Sequence, residues 1–157
     1  MQHRMKEFTM TDTAITALLE RAQVGRISTV NEDGYPYTVS VHFYWDGTAI
    51  YFHGLPKGQK LDNIAHCPKV CFEVSEMTGL LLEDIPMACK ADTAYESVVI
   101  LGDAALLTDV EEKRTIFGHI VEKYAPEWAD KTLPDANVAG TAVVKVTPKA
   151  ITGKYHA

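Results

Sequence analysis

The sequence has little cysteine, little positive charge and no long apolar run, and each shortage argues against a class of protein. Three cysteines occur in 157 residues and none forms a Cys-x-x-Cys pair, so a disulfide framework is not expected. Fifteen Lys and Arg stand against 21 Asp and Glu, and a net charge of -6 argues against nucleic-acid binding through phosphate contacts. No apolar run approaches the roughly 20 residues of a membrane span, and the N-terminal residues lack a signal-peptide core. We therefore expect a cytoplasmic protein.

The composition is that of an ordinary globular protein. Hydrophobic residues make up 46% of the chain and charged residues 23%, which argues against disorder. A chain of this length is expected to form one domain, so residues 1–157 are treated as a single unit.

Alternating apolar residues predict strands in the first third of the chain. Over residues 35–45 every odd position is apolar and the even positions are mostly polar, which is the period of a strand with one buried face. Asn31-Glu32-Asp33-Gly34 and Asp46-Gly47 are turn signals on either side of it. Together with β-rich residues 24–30 and 49–53, they predict a three-stranded antiparallel meander.

The rest of the chain predicts further strands and three helices. Strands are predicted at residues 70–74, 97–107 and 141–146, the last extended past Pro148 over 150–155. Helices are predicted at 12–23, 58–67 and 109–124. Residues 77–94 show no clear period and are interpreted as a crossing loop with one helical turn, and residues 127–139 as another loop. About six mostly antiparallel strands and three short helices predict a mainly β fold, a closed β-barrel with helical decoration, since closure removes exposed strand edges.

Residues 50–71 are the part of the sequence most indicative of function. An apolar run ends at His53, a loop with Gly, Pro and Lys follows, and a helix begins with Lys57 and Lys60 near its start. A helix N-terminus and two lysines three residues apart can hold a phosphate group. The segment therefore predicts a phosphorylated cofactor, and the competing interpretation is a pair of solvated surface lysines.

The histidines allow two interpretations each. His53 could flank a bound ring or transfer a proton, because imidazole titrates near neutral pH; it could also simply bond a backbone carbonyl at a strand end. His42, on the polar face of its strand, is expected to face solvent or an interface. No pair among the histidines and cysteines has zinc-ligand spacing, so no metal site is expected.

These patterns resemble the FMN-binding split-barrel superfamily, which includes the pyridoxamine 5'-phosphate oxidases. They are most similar to its branch of nitroimidazole-resistance-type flavoproteins. The resemblance rests on Gly25-Arg26-Ile27-Ser28-Thr29-Val30, Asp33-Gly34-Tyr35-Pro36, Ile50-Tyr51-Phe52-His53, Lys60-Leu61-Asp62-Asn63-Ile64, Pro68-Lys69-Val70-Cys71-Phe72-Glu73-Val74 and Tyr95-Glu96-Ser97-Val98. It implies a split-barrel homodimer with FMN in the clefts between the two barrels.

The resemblance also implies roles for particular residues. Contacts with the flavin ring fall on Val41, His42, Phe43, Phe52 and His53, and His53 is the candidate catalytic residue. The phosphate clamp falls on Lys57, Gly58 and Lys60, and a further polar contact on Ser97.

The implied function is an FMN-dependent oxidoreductase. A nicotinamide cofactor, NAD(P)H, would supply electrons for the reduction of a small organic acceptor such as a nitroaromatic compound. A flavin carrier or sensor without turnover, a haem-binding split barrel and a dimeric scaffold that has lost its cofactor remain alternatives.

Two departures from the family pattern bear on the substrate. The chain ends Gly153-Lys154-Tyr155-His156-Ala157, without the arginine motif that completes the pyridoxal-type site of the oxidase branch. Oxidation of pyridoxamine phosphate is therefore not expected. Asn is common in the nearer branch where His42 stands, so contacts at the flavin edge are expected to differ.

Overall fold

The structure is a computed structural model that describes residues 7–83 and 85–157. Across these residues seven strands form one antiparallel sheet, in the spatial order β2-β1-β5-β6-β7-β4-β3. In chain order the strands are β1 Gly25–Val30, β2 Pro36–Val41, β3 Tyr44–Trp45, β4 Ile50–Gly54, β5 Lys69–Leu81, β6 Asp92–Leu106 and β7 Ala142–His156.

The sheet is open, so the expectation of a closed barrel with about six strands is not confirmed. Within the described ranges no hydrogen-bonded ladder joins β2 to β3, the two end strands. These end strands are consecutive in the chain and only His42 and Phe43 separate them, so the sheet curls until its two ends nearly meet. The predicted single strand over residues 35–45 is therefore broken in the middle, where its first half pairs with β1 and its second half with β4.

Four α-helices accompany the sheet in the part of the chain that the structure describes. They are α1 Asp12–Arg21, α2 Gln59–His66, α3 Val110–Tyr124 and α4 Asp135–Gly140, and short 3-10 turns lie at Ala88–Lys90 and Pro126–Trp128. The first three confirm the predicted helices, and side-chain caps explain the agreement for α1 and α3. Thr11 accepts the Ala14 N–H at 3.2 Å and Asp109 accepts the Glu112 N–H at 2.8 Å, which fixes where α1 and α3 begin. No helix among the described residues is long and apolar enough to span a membrane.

The fourth helix covers Asp135–Gly140, so the loop predicted for residues 127–139 is wrong over its last five residues. α3 holds this segment through side chains that reach backbone carbonyls. Lys113 Nζ donates to the Thr141 carbonyl at 3.0 Å, and Arg114 donates to the Leu133 carbonyl at 2.7 Å. Tertiary contacts of this kind leave no local pattern in a six-residue helix.

The crossing loop predicted for residues 77–94 is wrong at both ends. β5 continues to Leu81 and β6 already begins at Asp92, so these ends belong to a long hairpin, and the expected helical turn lies between them at Ala88–Lys90. A register irregularity between Met77 and Gly79 interrupts the ladder. Such a bulge shifts which side chains face the core, and this explains why the sequence shows no regular period here.

The core lies inside the curled sheet, where Phe43, Phe52 and Phe72 are fully buried. Leu18 and Leu19 of α1 pack into the same cluster. A second, smaller cluster lies on the outer face, where Ile116 and Ile120 of α3 pack against Ala49, Tyr51 and Val143. The predicted alternation holds at Phe43 and Trp45, but Tyr35 is 70% exposed because it lies in the turn before β2.

Candidate functional site

The end of β4 and the start of α2 bring several predicted site residues together. Successive side chains of β4 point to opposite faces, so Phe52 is buried in the core and His53 projects from the outer face. Gly58 is the N-cap residue of α2 and has a φ of 139°, a conformation that favours glycine. No side chain caps this helix, so its first N–H groups keep donor capacity for a ligand.

Lys60 folds back over the end of β4. A Cβ atom placed on Gly54 would lie 3.3 Å from Lys60 Nζ, so the ammonium group occupies space that this glycine leaves free. The fold thus places a lysine charge directly beside the last residue of the strand that carries His53.

His42, in the link before β3, and His53, on β4, lie on the same outer face. The β3–β4 register pairs Tyr44 with Tyr51, and its continuation by two residues opposes His42 to His53. Burial lowers the pKa of His53, and the charges of His42 and Lys60 lower that pKa further. Within the described residues no carboxylate forms an ion pair with these three side chains. We call His42, His53 and Lys60 the basic cluster; its unneutralised charge favours an anionic ligand.

Helix α3 lines the outer face next to the two histidines. The Phe117 ring meets His53 edge-on at 5.2 Å, and the Tyr124 ring stacks on His42 at 4.3 Å with an interplanar angle of 12°. These contacts hold both imidazoles against an aromatic wall.

The Tyr124 hydroxyl occupies the break between β2 and β3. It accepts the Phe43 N–H at 2.9 Å and lies 2.9 Å from the Phe43 carbonyl and 3.0 Å from the Gln23 carbonyl, to one of which it donates. The hydroxyl therefore satisfies backbone groups that have no strand neighbour. The sequence places Tyr124 only on the buried side of a helix, and no local signal indicates this contact.

A buried amide fixes the position of α2. Asn63 is 2% exposed, and its Nδ2 donates to Thr29 Oγ1 at 2.9 Å and to Asn31 Oδ1 at 2.8 Å. Its Oδ1 accepts from Gln59 Nε2 at 2.8 Å. The network ties the start of α2 to the end of β1 and so holds Lys60 in place. The sequence signal for it was an asparagine between the buried positions Leu61 and Ile64.

Other predicted site residues are placed differently. The Phe43 and Phe52 side chains lie in the core, so only their backbone could border a ligand, while Val41 is partly buried. Lys57 and Gly58 are exposed in the loop before α2.

Ser97 lies far from the basic cluster in the same chain. It pairs with Lys154 on β7, whereas His53 pairs with Val143 at the other end of that strand. Eleven residues separate Lys154 from Val143 (154 - 143 = 11), and at about 3.3 Å per residue this is roughly 35 Å of strand. Within one chain Ser97 and His53 are therefore too far apart to line the same site.

The chain belongs to the pyridoxamine 5'-phosphate oxidase family. The sequence model of that family matches residues 11–155, which is nearly the whole chain, and this confirms the resemblance seen in the sequence. Among curated proteins, none matches.

Solved structures share the same fold. A candidate 5-nitroimidazole antibiotic resistance protein from Bacteroides thetaiotaomicron superposes with a TM-score of 0.81 at 24% identity, covering 94% of this chain and 86% of that one. The flavocytochrome Anf3 from Azotobacter vinelandii gives 0.87 at 21% identity, covering 99% and 72%. The FAD and haem binding protein from Mycobacterium smegmatis gives 0.82 at 15% identity, covering 92% and 71%. At these identities the likeness shows the fold.

Proposed function

We propose that the protein is an FMN-dependent oxidoreductase whose cofactor phosphate binds at the start of α2. The observation that carries this proposal is the basic cluster, which has no acidic partner in the described residues of a chain with net charge -6. A phosphate monoester carries between one and two negative charges at neutral pH and would supply the missing counter-charge. Family membership and structural neighbours named for flavin support the same choice of ligand.

The residues present fit such a cofactor. Lys57, Lys60 and the uncapped N–H groups of α2 would hold the phosphate, and the absent side chain of Gly58 leaves room beside them. The backbone at Val41, Phe43 and Phe52 and the outward side chains of His42 and His53 would border the flavin ring.

When bound, the flavin would supply the electron transfer, and the protein supplies binding, orientation and proton management. His53 is the candidate for a proton transfer at a ring nitrogen. Its lowered pKa keeps the imidazole mostly neutral at pH 7 while the basic cluster is unneutralised. A phosphate beside Lys60 would offset the repulsion that lowers this pKa, so cofactor binding would prepare His53 to carry a proton.

We further propose that the protein is a homodimer in which the partner completes each site. Ser97 cannot reach the basic cluster of its own chain, so it would serve the site of the second copy. The long β5–β6 hairpin that carries Ser97 also exposes Met77 and Leu80, which are 66% and 59% exposed, and Leu101 is 53% exposed. Apolar exposure of this extent favours an interface.

The electron donor is proposed to be NAD(P)H and the acceptor a small organic molecule such as a nitroaromatic compound. The name of the Bacteroides thetaiotaomicron structure is the observation that favours the nitroaromatic choice. A flavin- or haem-binding protein without turnover is the second candidate, favoured by the two haem-associated names among the neighbours.

The test begins with the visible spectrum of the purified protein and the mass of any ligand released on heating. FMN bands, followed by NADH or NADPH oxidation that depends on an added nitro compound, support the proposal. Flavin bands without turnover support the carrier, and a Soret band supports haem. A colourless protein that binds no added FMN would refute the proposal.

A further inference from the structure

A cavity of about 450 Å³ lies between α1, α3 and the turn after β3, apart from the basic cluster. Tyr44 contributes an aromatic side chain to its wall, and Lys123 lies on the side of α3. Glu20, Asp46 and Glu122 place carboxylates around it. None of the residues proposed to hold the cofactor lines this cavity, so it requires its own explanation.

Lys123 is held in an unusually apolar setting for a lysine. Its Nζ lies 4.0 Å from the centre of the Phe43 ring and donates to the Leu19 carbonyl at 3.2 Å. In the described part of the chain no carboxylate lies within ion-pair distance of it. Burial lowers the pKa of Lys123 to about 8, and Glu20 offsets only part of that effect. At pH 7.5 roughly a quarter of such an amine is neutral, against roughly one part in a thousand for an ordinary lysine.

A proton-transfer pair lies beside this amine on the same helix. His119 is four residues before Lys123, so both side chains project to one face of α3. His119 Nδ1 lies 3.2 Å from Glu122 Oε2, and its ring stacks on Tyr44 at 4.8 Å. The cavity therefore combines a desolvated amine, a histidine paired with a carboxylate and an aromatic side chain.

We propose that Lys123 forms a reversible imine with small neutral aromatic aldehydes that enter this cavity. The neutral amine attacks the carbonyl carbon, so a C–N bond forms as the C=O π bond breaks, and one N–H proton passes to the carbonyl oxygen to give a carbinolamine. Protonated His119 then donates a proton to the new hydroxyl, the C–O bond breaks and water leaves. The remaining N–H proton returns to His119 as the C=N bond forms. The reaction needs no oxidant or reductant, and water reverses it. Desolvated lysines are the usual nucleophiles for this chemistry.

The cavity wall selects the class of aldehyde. The Tyr44 ring favours a planar ring, whereas the three carboxylates disfavour an aldehyde that carries a negative charge. The Asp46 carboxylate should stay ionised. Burial alone would raise its pKa, but hydrogen bonds from Thr48 and Ala49 outweigh the effect of burial and lower the pKa. Anionic carbonyl compounds should therefore react poorly.

The test is reductive trapping on the full-length protein as purified. Benzaldehyde and sodium cyanoborohydride are added at pH 7.5, and peptide mass spectrometry follows the adduct at each lysine with time. Lys123 should be labelled at least about tenfold faster than the exposed Lys69 and Lys131, because far more of its amine is neutral. Labelling of Lys123 at or below the rate of those two lysines would overturn the proposal.

Two comparisons sharpen the result. Lys123→Arg keeps a cation against the Phe43 ring but removes the nucleophile, so the fast-forming adduct should vanish while Lys69 and Lys131 are labelled as before. In the wild type, 4-formylbenzoate should label Lys123 several-fold more slowly than benzaldehyde does, after both rates are divided by those at Lys131. An unchanged ratio would overturn the assignment of the reaction to this acid-lined cavity.

Discussion

Replacing Lys60 by Ala should weaken FMN binding without unfolding the protein. The Lys60 side chain is partly exposed, and no described carboxylate pairs with its ammonium, so its removal breaks no ion pair. The loss is that of a charge-assisted hydrogen bond to phosphate, worth about 1.5–3 kcal/mol. This corresponds to an increase of about 10- to 150-fold in the Kd for FMN.

The assay is a titration of cofactor-free protein with FMN, followed by quenching of flavin fluorescence. Riboflavin, which has the same ring and no phosphate, is the matched ligand control, and its affinity should be the same for the wild type and for Lys60→Ala. Lys131→Ala removes an equally charged, exposed lysine outside the site and should leave the Kd for FMN within about twofold. An unchanged FMN affinity in Lys60→Ala, or an equal loss for riboflavin, would refute the phosphate clamp.

Three further outcomes follow from the surroundings of the site. Asn63→Ala should lower the free energy of unfolding by about 2–3 kcal/mol in urea titrations, because its buried partners lose their hydrogen bonds; a change under about 0.5 kcal/mol would contradict this. Tyr124→Phe keeps the ring against His42 but frees the Phe43 amide, whose hydrogen exchange should accelerate at least about tenfold, and unchanged protection would count against the role of the hydroxyl. The pKa of His53 is lowered from 6.5, so the folded state disfavours its protonation and loses stability as pH falls below about 6.5. In buffer without phosphate the wild type should therefore lose more stability between pH 8 and pH 5 than His53→Gln does; parallel pH profiles would show that His53 is not responsible.

Local sequence patterns predicted the elements whose causes are themselves local. The starting residues of α1 and α3 follow from Thr11 and Asp109, whose side chains accept hydrogen bonds from amides three residues further along. The break at Phe43 could not be predicted in this way, because the Tyr124 hydroxyl that satisfies its backbone comes from 81 residues further along the chain. The length of β5 could not be predicted from the sequence either, because one irregularity at residues 77–79 shifts the alternation of side chains on which a strand prediction depends.

In the candidate site, too, only the residues that are close in sequence could be predicted to lie together. His53, Gly58 and Lys60 lie in one continuous segment, so their proximity was predictable from sequence. The contributions of Phe117 and Tyr124 depend on how α3 packs over β3 and β4, and neither residue type nor spacing indicates it. Ser97 was selected by resemblance alone, and its proposed role requires a second copy of the chain.

The two residues between β2 and β3 also restrict which changes of chain length the fold can accept. His42 points outward and Phe43 inward, and Trp45 returns to the interior after Tyr44. Adding or deleting one residue here would reverse the face to which each side chain of β3 points. The Trp45 indole would leave the interior and the Tyr44 phenol would enter it. Insertions in this link should consequently be as damaging as the loss of a large core side chain, although the link itself is among the shortest in the chain.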